Sequence, residues 1–404
     1  MTAPVNNTSP AGAVNGRLLI VILGSLAAFG PVAIDMYLPS LPEIARSLSA
    51  SDDSVQRTLV AFFSGFCFGI LIYGPLSDRY GRRPVLLSGI ILFIFATIAC
   101  ALAQDITMLT AFRFLQAFGG GAASVLARAI IRDRFGQNQA ARMLSIMALI
   151  TSTAPLLAPS IGGQILLWFD WRAIFIFQSL FGVACLAAVL WRIPESHPSV
   201  QRRVTRFSDA FLAYGRILKS RIALGYGLGA AAAFGAMFAY ITGTPFVYIE
   251  YFNVPPQYFG LLFGCNILSI MSANFTNSRL VPKYGVKRMA RIGVLIHMSG
   301  ALSLLIVGLT GYGGFPAIVI SLLFSVGSLG FLSANCVSRL MALFPANAGA
   351  AASVFGALQF GCGALASQAV SALNDGTPWA MCVVIGVLGP CSAIAMFGLA
   401  RKDN

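Results

Sequence analysis

The sequence predicts an all-α membrane protein of twelve transmembrane helices in two pseudo-symmetric six-helix halves. Three observations carry that prediction. Of the 404 residues, 57% are hydrophobic and only 10% charged, whereas a soluble domain carries roughly 25% charged residues to wet its surface. Apolar runs of about twenty residues, long enough to cross a ~30 Å hydrocarbon core as a helix, recur from Leu18 to Ala400. Finally, Tyr80-Gly81-Arg82-Arg83 is echoed 204 residues later by Tyr284-Gly285-Val286-Lys287-Arg288. A repeat at half the chain length is the pattern of transporters that rock around a midplane site.

Apolar runs read against polar breaks give spans at 18–42, 55–76, 84–103, 107–131, 143–167 and 173–193. A second set follows at 222–247, 258–278, 289–309, 315–343, 348–373 and 378–400. The expected organisation is therefore a tail (1–17), an N-terminal half (18–193), a polar linker (194–221), a C-terminal half (222–400) and a short C-terminal tail (401–404). The first run is longer than the ~7–15 residues of a signal-peptide core and carries Asp35 and Pro39, so it is read as a retained span.

Charge distribution sets the orientation. With the N-terminus inside, Arg46, Arg57 and Arg172 fall outside and Arg113 lies within a span, leaving 23 of the 27 basic residues on the inner side. This is the positive-inside pattern, and it accounts for the net charge of +14 without nucleic acid. Both termini are expected to be cytoplasmic, and the bilayer is the expected partner surface. The eight cysteines all lie in apolar runs, with no Cys/His spacing that chelates a metal. No GxxxxGK[ST] phosphate loop and no paired carboxylates appear, so neither ATP hydrolysis nor other enzymatic work is indicated.

Ionisable groups inside spans are costly, by at least ~2.5 kcal/mol for a carboxyl at a helix centre, and are functional hypotheses by default. Asp35 is the first, in Ile34-Asp35-Met36-Tyr37-Leu38-Pro39 after Pro31, where both prolines weaken the helical ladder. Burial opposes its charged form and a guanidinium would favour it, so such a group can load and release a proton as its surroundings alternate. Arg113 is the natural counter-charge: at 1.5 Å per residue both fall in the outer half of the membrane, which allows pairing. Snorkelling of Arg113 to the outer interface is the alternative. His297 is the only histidine in a span, and packing is its simpler explanation.

The loop Gly74-Pro75-Leu76-Ser77-Asp78-Arg79-Tyr80-Gly81-Arg82-Arg83 suits a tight turn at Gly81 and an Asp78–Arg82 pair if the helix continues. It resembles the loop signature of the major facilitator superfamily. That resemblance implies the major facilitator fold and a latch in which Asp78 joins Arg82 and Asp133, with Gly74, Arg79, Gly81 and Arg83 completing the motif. Arg113 through Gly119 resembles the family's fourth-helix signature, with Ala117 replacing a glycine. Ala154 to Gly163, containing Pro155, Pro159, Gly162 and Gly163, resembles the kinked fifth helix of antiporters, with alanine at two of its glycine positions.

The segments IDMYLPSLP (34–42) and GTPFVYIE (243–250), with Trp171-Arg172-Ala173-Ile174-Phe175, look like the bicyclomycin-resistance branch of drug:proton antiporters. The resemblance implies a bacterial inner-membrane exporter of small, largely apolar or cationic molecules, driven by the proton gradient without a cofactor and working as a monomer. A proton-coupled nutrient importer on the same fold, or a scaffold that transports nothing, is the alternative. Tyr37, Gln116, Tyr240, Asn266, Asn335 and Gln359 are polar or amphipathic residues in spans and are the candidate lining of a substrate cavity, although for each taken alone joining helices is the simpler reading.

Overall fold

The computed structural model describes residues 16–197 and 207–401; the expected tails and the arginines 202, 203 and 206 of the linker fall wholly or partly outside these. Among the described residues the secondary structure is helical throughout, as required where lipid offers no hydrogen-bond partner to exposed backbone. Ten helices are long and apolar enough to cross a membrane, and a bent pair near the N-terminus makes an eleventh span. One of the ten, Pro256–Thr310, has 55 residues and breaks at Gly285 (φ 78°, ψ 157°). It counts as two spans, which brings the total to twelve.

The elements in chain order are α1 Gly16–Ala27, α2 Phe29–Asp35, a 3₁₀ turn Leu38–Ser40, α3 Leu41–Ser47, α4 Asp52–Tyr80, α5 Arg82–Ala101, α6 Ile106–Arg134, α7 Gln137–Trp168 and α8 Arg172–Arg192. Then come α9 Phe207–Lys219, α10 Arg221–Pro245, α11 Pro256–Thr310, α12 Gly314–Gly327, α13 Leu329–Leu343, α14 Ala348–Ala372 and α15 Trp379–Ile394.

The first span departs from the single helix expected over 18–42. A proline ring lacks an N–H and clashes with the carbonyl four residues back. Pro31 therefore acts on Ala27, where α1 ends, and Pro39 acts on Asp35, where α2 ends. The two segments meet at 45°. The linker also differs from expectation: within the polar stretch α9 forms a short amphipathic helix whose Ala213, Tyr214 and Ile217 are buried. The Tyr214 hydroxyl donates to the Leu71 carbonyl (3.1 Å), which seats this helix against the end of the bundle where the basic loops lie.

Close helix crossings use small residues, as expected where packing rather than water exclusion drives association. A Cβ at Gly119 would come within 2.6–2.7 Å of the Phe93 amide nitrogen and the Gly89 carbonyl, so α5 and α6 touch backbone to backbone there. Large apolar side chains such as Phe95, Leu180 and Leu365 are exposed and form the surface that lipid covers.

Candidate functional site

A cavity of about 530 Å³ lies between the two sets of helices. Its walls are mainly apolar, with Phe66, Phe238, Phe263 and Phe360 prominent, and its polar lining includes Asp35, Tyr240, Gln359, Arg128 and Arg132. It runs from Asp35 to Arg132, Met341 and Gly349, close to the basic-loop ends of α6, α13 and α14. The opposite, far end is closed. There Ser371 donates to the Asp53 carbonyl (2.8 Å), and a Cβ at Gly163 or Gly260 would strike Pro256 or Ser160 respectively across the seam. Deeper in, Phe63 packs on Phe238 with ring centres 4.3 Å apart, and Phe66 on Phe360 at 4.5 Å.

Asp35 lies at the C-terminal end of α2 and lines this cavity. Among the described residues no cation stands within 4.0 Å of its carboxylate, and no hydrogen bond is made to it. Tyr240, on α10 of the other half, lines the same cavity.

The expected Asp35–Arg113 pair is therefore not formed. Arg113 is fully buried and serves the break beneath Asp35. Because α2 stops, the Tyr37 amide turns back to the Ile34 carbonyl (3.2 Å), and the Ala33 carbonyl loses its helical donor. Arg113 Nη1 supplies one (3.1 Å) and also donates to Gln116 Oε1 (2.6 Å). The guanidinium carbon lies 4.4 Å and 4.3 Å from the ring centres of Tyr37 and Phe62, a desolvated cation–π arrangement. Snorkelling is likewise not what this side chain does.

The six cavity candidates divide. Tyr240 and Gln359 line the cavity. Tyr37, Gln116, Asn266 and Asn335 do not, because each is held in a contact behind the wall. The Tyr37 hydroxyl bonds with Thr58 Oγ1 (2.8 Å). Gln116 Nε2 donates to Thr97 and Gln178 (2.9 and 3.0 Å), Asn266 donates to the Tyr240 hydroxyl (3.2 Å), and Asn335 donates to Asn277 (2.8 Å). His297 is buried against Ser325 (3.2 Å), away from the cavity.

On α7, the helix continues through Pro155 and Pro159 without a break. Pro155 lines the cavity, Gly162 abuts the Met36 carbonyl just after Asp35, and Gly163 abuts the chain at Pro256. This stretch thus braces the broken first span on one side and the other half on the other.

At the basic end, α4 stops at Tyr80 and Gly81 takes φ 101°, a region closed to most side chains. The helix does not continue, yet Arg82 reaches back over the turn to Asp78 and forward to Asp133, with Nε–Oδ2 at 2.9 Å. The two carboxylates raise the tendency of Arg82 to hold its proton against the opposing cost of burial. Arg79 stacks on Tyr80 instead, and Arg83 donates to the Leu190 carbonyl. Gly74 faces Ser353 of α14.

Two participants escaped the sequence reading. Glu195 accepts the backbone N–H groups of Arg82 and Arg83 (3.0 and 3.2 Å), placing an anion at the N-terminus of α5 where the helix dipole favours it. Its linker position gave no signal. Arg128 lies inside the span expected at 107–131 but was counted with the loop charges; its depth in an apolar run was the missed signal.

Among the described residues no group of three His, Cys, Asp or Glu side chains could hold a metal. Twelve spans around a central apolar cavity with a single in-membrane acid define a membrane transporter rather than an enzyme. The profile of the Major Facilitator Superfamily matches residues 22–367. A bicyclomycin resistance protein homolog of Haemophilus influenzae is 35% identical over 96% of this chain and 97% of its own. The multidrug resistance protein MdtL of Shigella dysenteriae is 27% identical over 92% of each. A crystal structure of a D-xylose-proton symporter superposes with a TM-score of 0.74 at 19% identity, covering 95% of this chain and 97% of that one. The chain belongs to the Major Facilitator Superfamily, a family of multi-pass membrane transporters that bind small molecules and often act as monomers.

Proposed function

We propose that the protein is a proton-coupled antiporter that exports small, largely apolar molecules, drugs among them, from the bacterial cytoplasm across the inner membrane. The observation that carries this reading is the Asp35 carboxyl, facing a cavity shared by both halves with no cation to fix its charge. The names of the drug-resistance relatives support the direction. Cationic molecules are the other substrate class that the family resemblance implies, and Asp35 is the acid in the cavity that would face them.

In the mechanism, residues 18–193 and 222–400 rock as two bodies. The basic-loop end and both termini face the cytoplasm, so the present form is open inward. A substrate enters over the phenylalanine walls as Asp35 gives its proton to the cytoplasm. The halves then tilt, the far end opens, and a proton from outside neutralises Asp35 as the substrate leaves. A neutral carboxyl crosses the apolar seam at far lower cost than a carboxylate, which ties the return step to proton entry. The proton gradient is the energy source, no cofactor takes part, and one chain is the working unit. Asp78, Arg82 and Asp133 latch the cytoplasmic end when it closes.

The test is uphill export in everted membrane vesicles, with and without an uncoupler. Asp35→Asn should abolish uncoupler-sensitive export while downhill equilibration of the same substrate persists. Uphill export surviving in Asp35→Asn removes this residue from coupling.

A further inference from the structure

Arg128 and Arg132 lie one helical turn apart on α6, and both line the cavity toward its basic mouth. Arg128 is anchored rather than loose: Nε donates to the Ser124 carbonyl (3.2 Å) and Nη2 to Ser124 Oγ (3.0 Å). Its remaining Nη1 has no protein acceptor among the described residues. Arg132 Nη1 lies beside Gly349 of the other half, 3.8 Å from where a Cβ there would stand. Among the described residues neither arginine has a carboxylate within 4.0 Å, and Asp78 and Asp133 at this end of the bundle are paired with Arg82.

Both side chains are exposed to the open cavity rather than packed in protein, and two cations at this spacing repel each other. Besides Ser124 and Tyr240, the uncharged polar side chains lining the cavity are Thr151, Ser333, Ser353 and Gln359, and among the described residues the only acid lining it, Asp35, is at its other end. Counting residues along α6 from the Arg113–Ala33 contact to Ser124, the two ends are about 17 Å apart at 1.5 Å per residue. That is the length of a drug-sized molecule, and too far for Asp35 to neutralise the arginines.

We propose that Arg128 and Arg132 form an anion-accepting subsite, so that the preferred cargo carries a carboxylate or sulfonate at one end of an apolar body. The guanidinium of Arg128, oriented by Ser124, receives the anionic oxygens, Arg132 supplies the second positive charge, and the phenylalanines hold the body. This inference deepens the export reading by naming the chemistry of the cargo.

The test uses purified full-length protein in detergent and three fluorescent ligands that share one aromatic body: dansylglycine, its methyl ester and a dansylated diamine. Binding is read by energy transfer from tryptophan. Dansylglycine should bind roughly tenfold more tightly than its ester, as a charge-assisted contact confers, and the diamine weakest. Arg128→Gln should reduce the preference to below about twofold, while Arg128→Lys, which keeps the charge without the fork, should retain part of it. Equal affinities in the wild type, no saturable binding of dansylglycine, or a variant that weakens acid and ester alike would overturn the subsite. If the preference is present but no ligand is exported from vesicles, the export reading fails and the subsite stands.

Discussion

Asp35 and Arg113 are both buried charges in apolar helices, but their surroundings give them opposite duties. The carboxyl opens onto the cavity, whereas the guanidinium faces a carbonyl, an amide oxygen and aromatic rings. That difference separates their variants. Asp35→Asn removes a chargeable group that nothing in the protein partners, so the purified variant should melt at or above the wild-type temperature. Arg113→Gln leaves the Ala33 carbonyl short of its donor and disturbs Gln116, which costs about 1–3 kcal/mol for orphaned buried groups. Thermal unfolding in detergent reads the contrast directly. If both variants melt alike and both below wild type, the two side chains form one structural unit and the assignment of separate duties is wrong. Sequence alone showed that both residues are costly where they stand. It could not show which carbonyl would need a donor, because that depends on where the helix stops.

At the scale of elements, the break that positions Asp35 comes from proline spacing. Pro31 and Pro39 each end a helical segment four residues upstream, and the freed Ala33 carbonyl recruits Arg113 from α6. Pro39→Ala lifts the steric block on the Asp35 carbonyl and restores an N–H, so α2 can extend and the Tyr37 amide can bond to Ala33 as in an uninterrupted helix. The expected result is a several-fold loss of transport with normal membrane insertion, and stronger hydrogen-exchange protection at Tyr37. Unchanged protection would show that Arg113 and α7, rather than Pro39, hold the break. The prolines were legible in the sequence; the break was not, since hydropathy reads 18–42 as one apolar run. The helix Phe207–Lys219 was missed for a related reason: a reading by hydropathy sees only a polar stretch, although Phe207, Phe211, Tyr214 and Leu218 recur at helical spacing, and its stability comes from seating Tyr214 on the bundle. The turn at Gly81, by contrast, was predictable, because glycine is the residue that accepts its backbone angles.

Across the whole molecule, the twelve-span fold could be read from composition because the bilayer permits few other solutions for such a chain. The relative tilt of the halves could not, because under the alternating-access reading it would be set by a balance between two packings of the same sequence. In the form described here the far end is sealed by Ser371 on Asp53 and by the Gly163–Pro256 and Ser160–Gly260 contacts, while the cavity reaches the basic end. Alternating access requires that seal to part once per cycle. In a background with all eight native cysteines replaced, Asp53→Cys with Ser371→Cys puts one thiol on each side of the seal, at residues that now touch through the Ser371 hydroxyl and the Asp53 backbone carbonyl (2.8 Å). Oxidation should therefore stop transport, and a reductant should restore it, with each single variant insensitive to both treatments. Binding of a cytoplasmic-side ligand should survive in the cross-linked protein, because the lock holds the form whose cavity faces the basic loops. Full transport with the disulfide quantitatively formed would mean that the far end never opens at this point, and the exit path would have to run elsewhere.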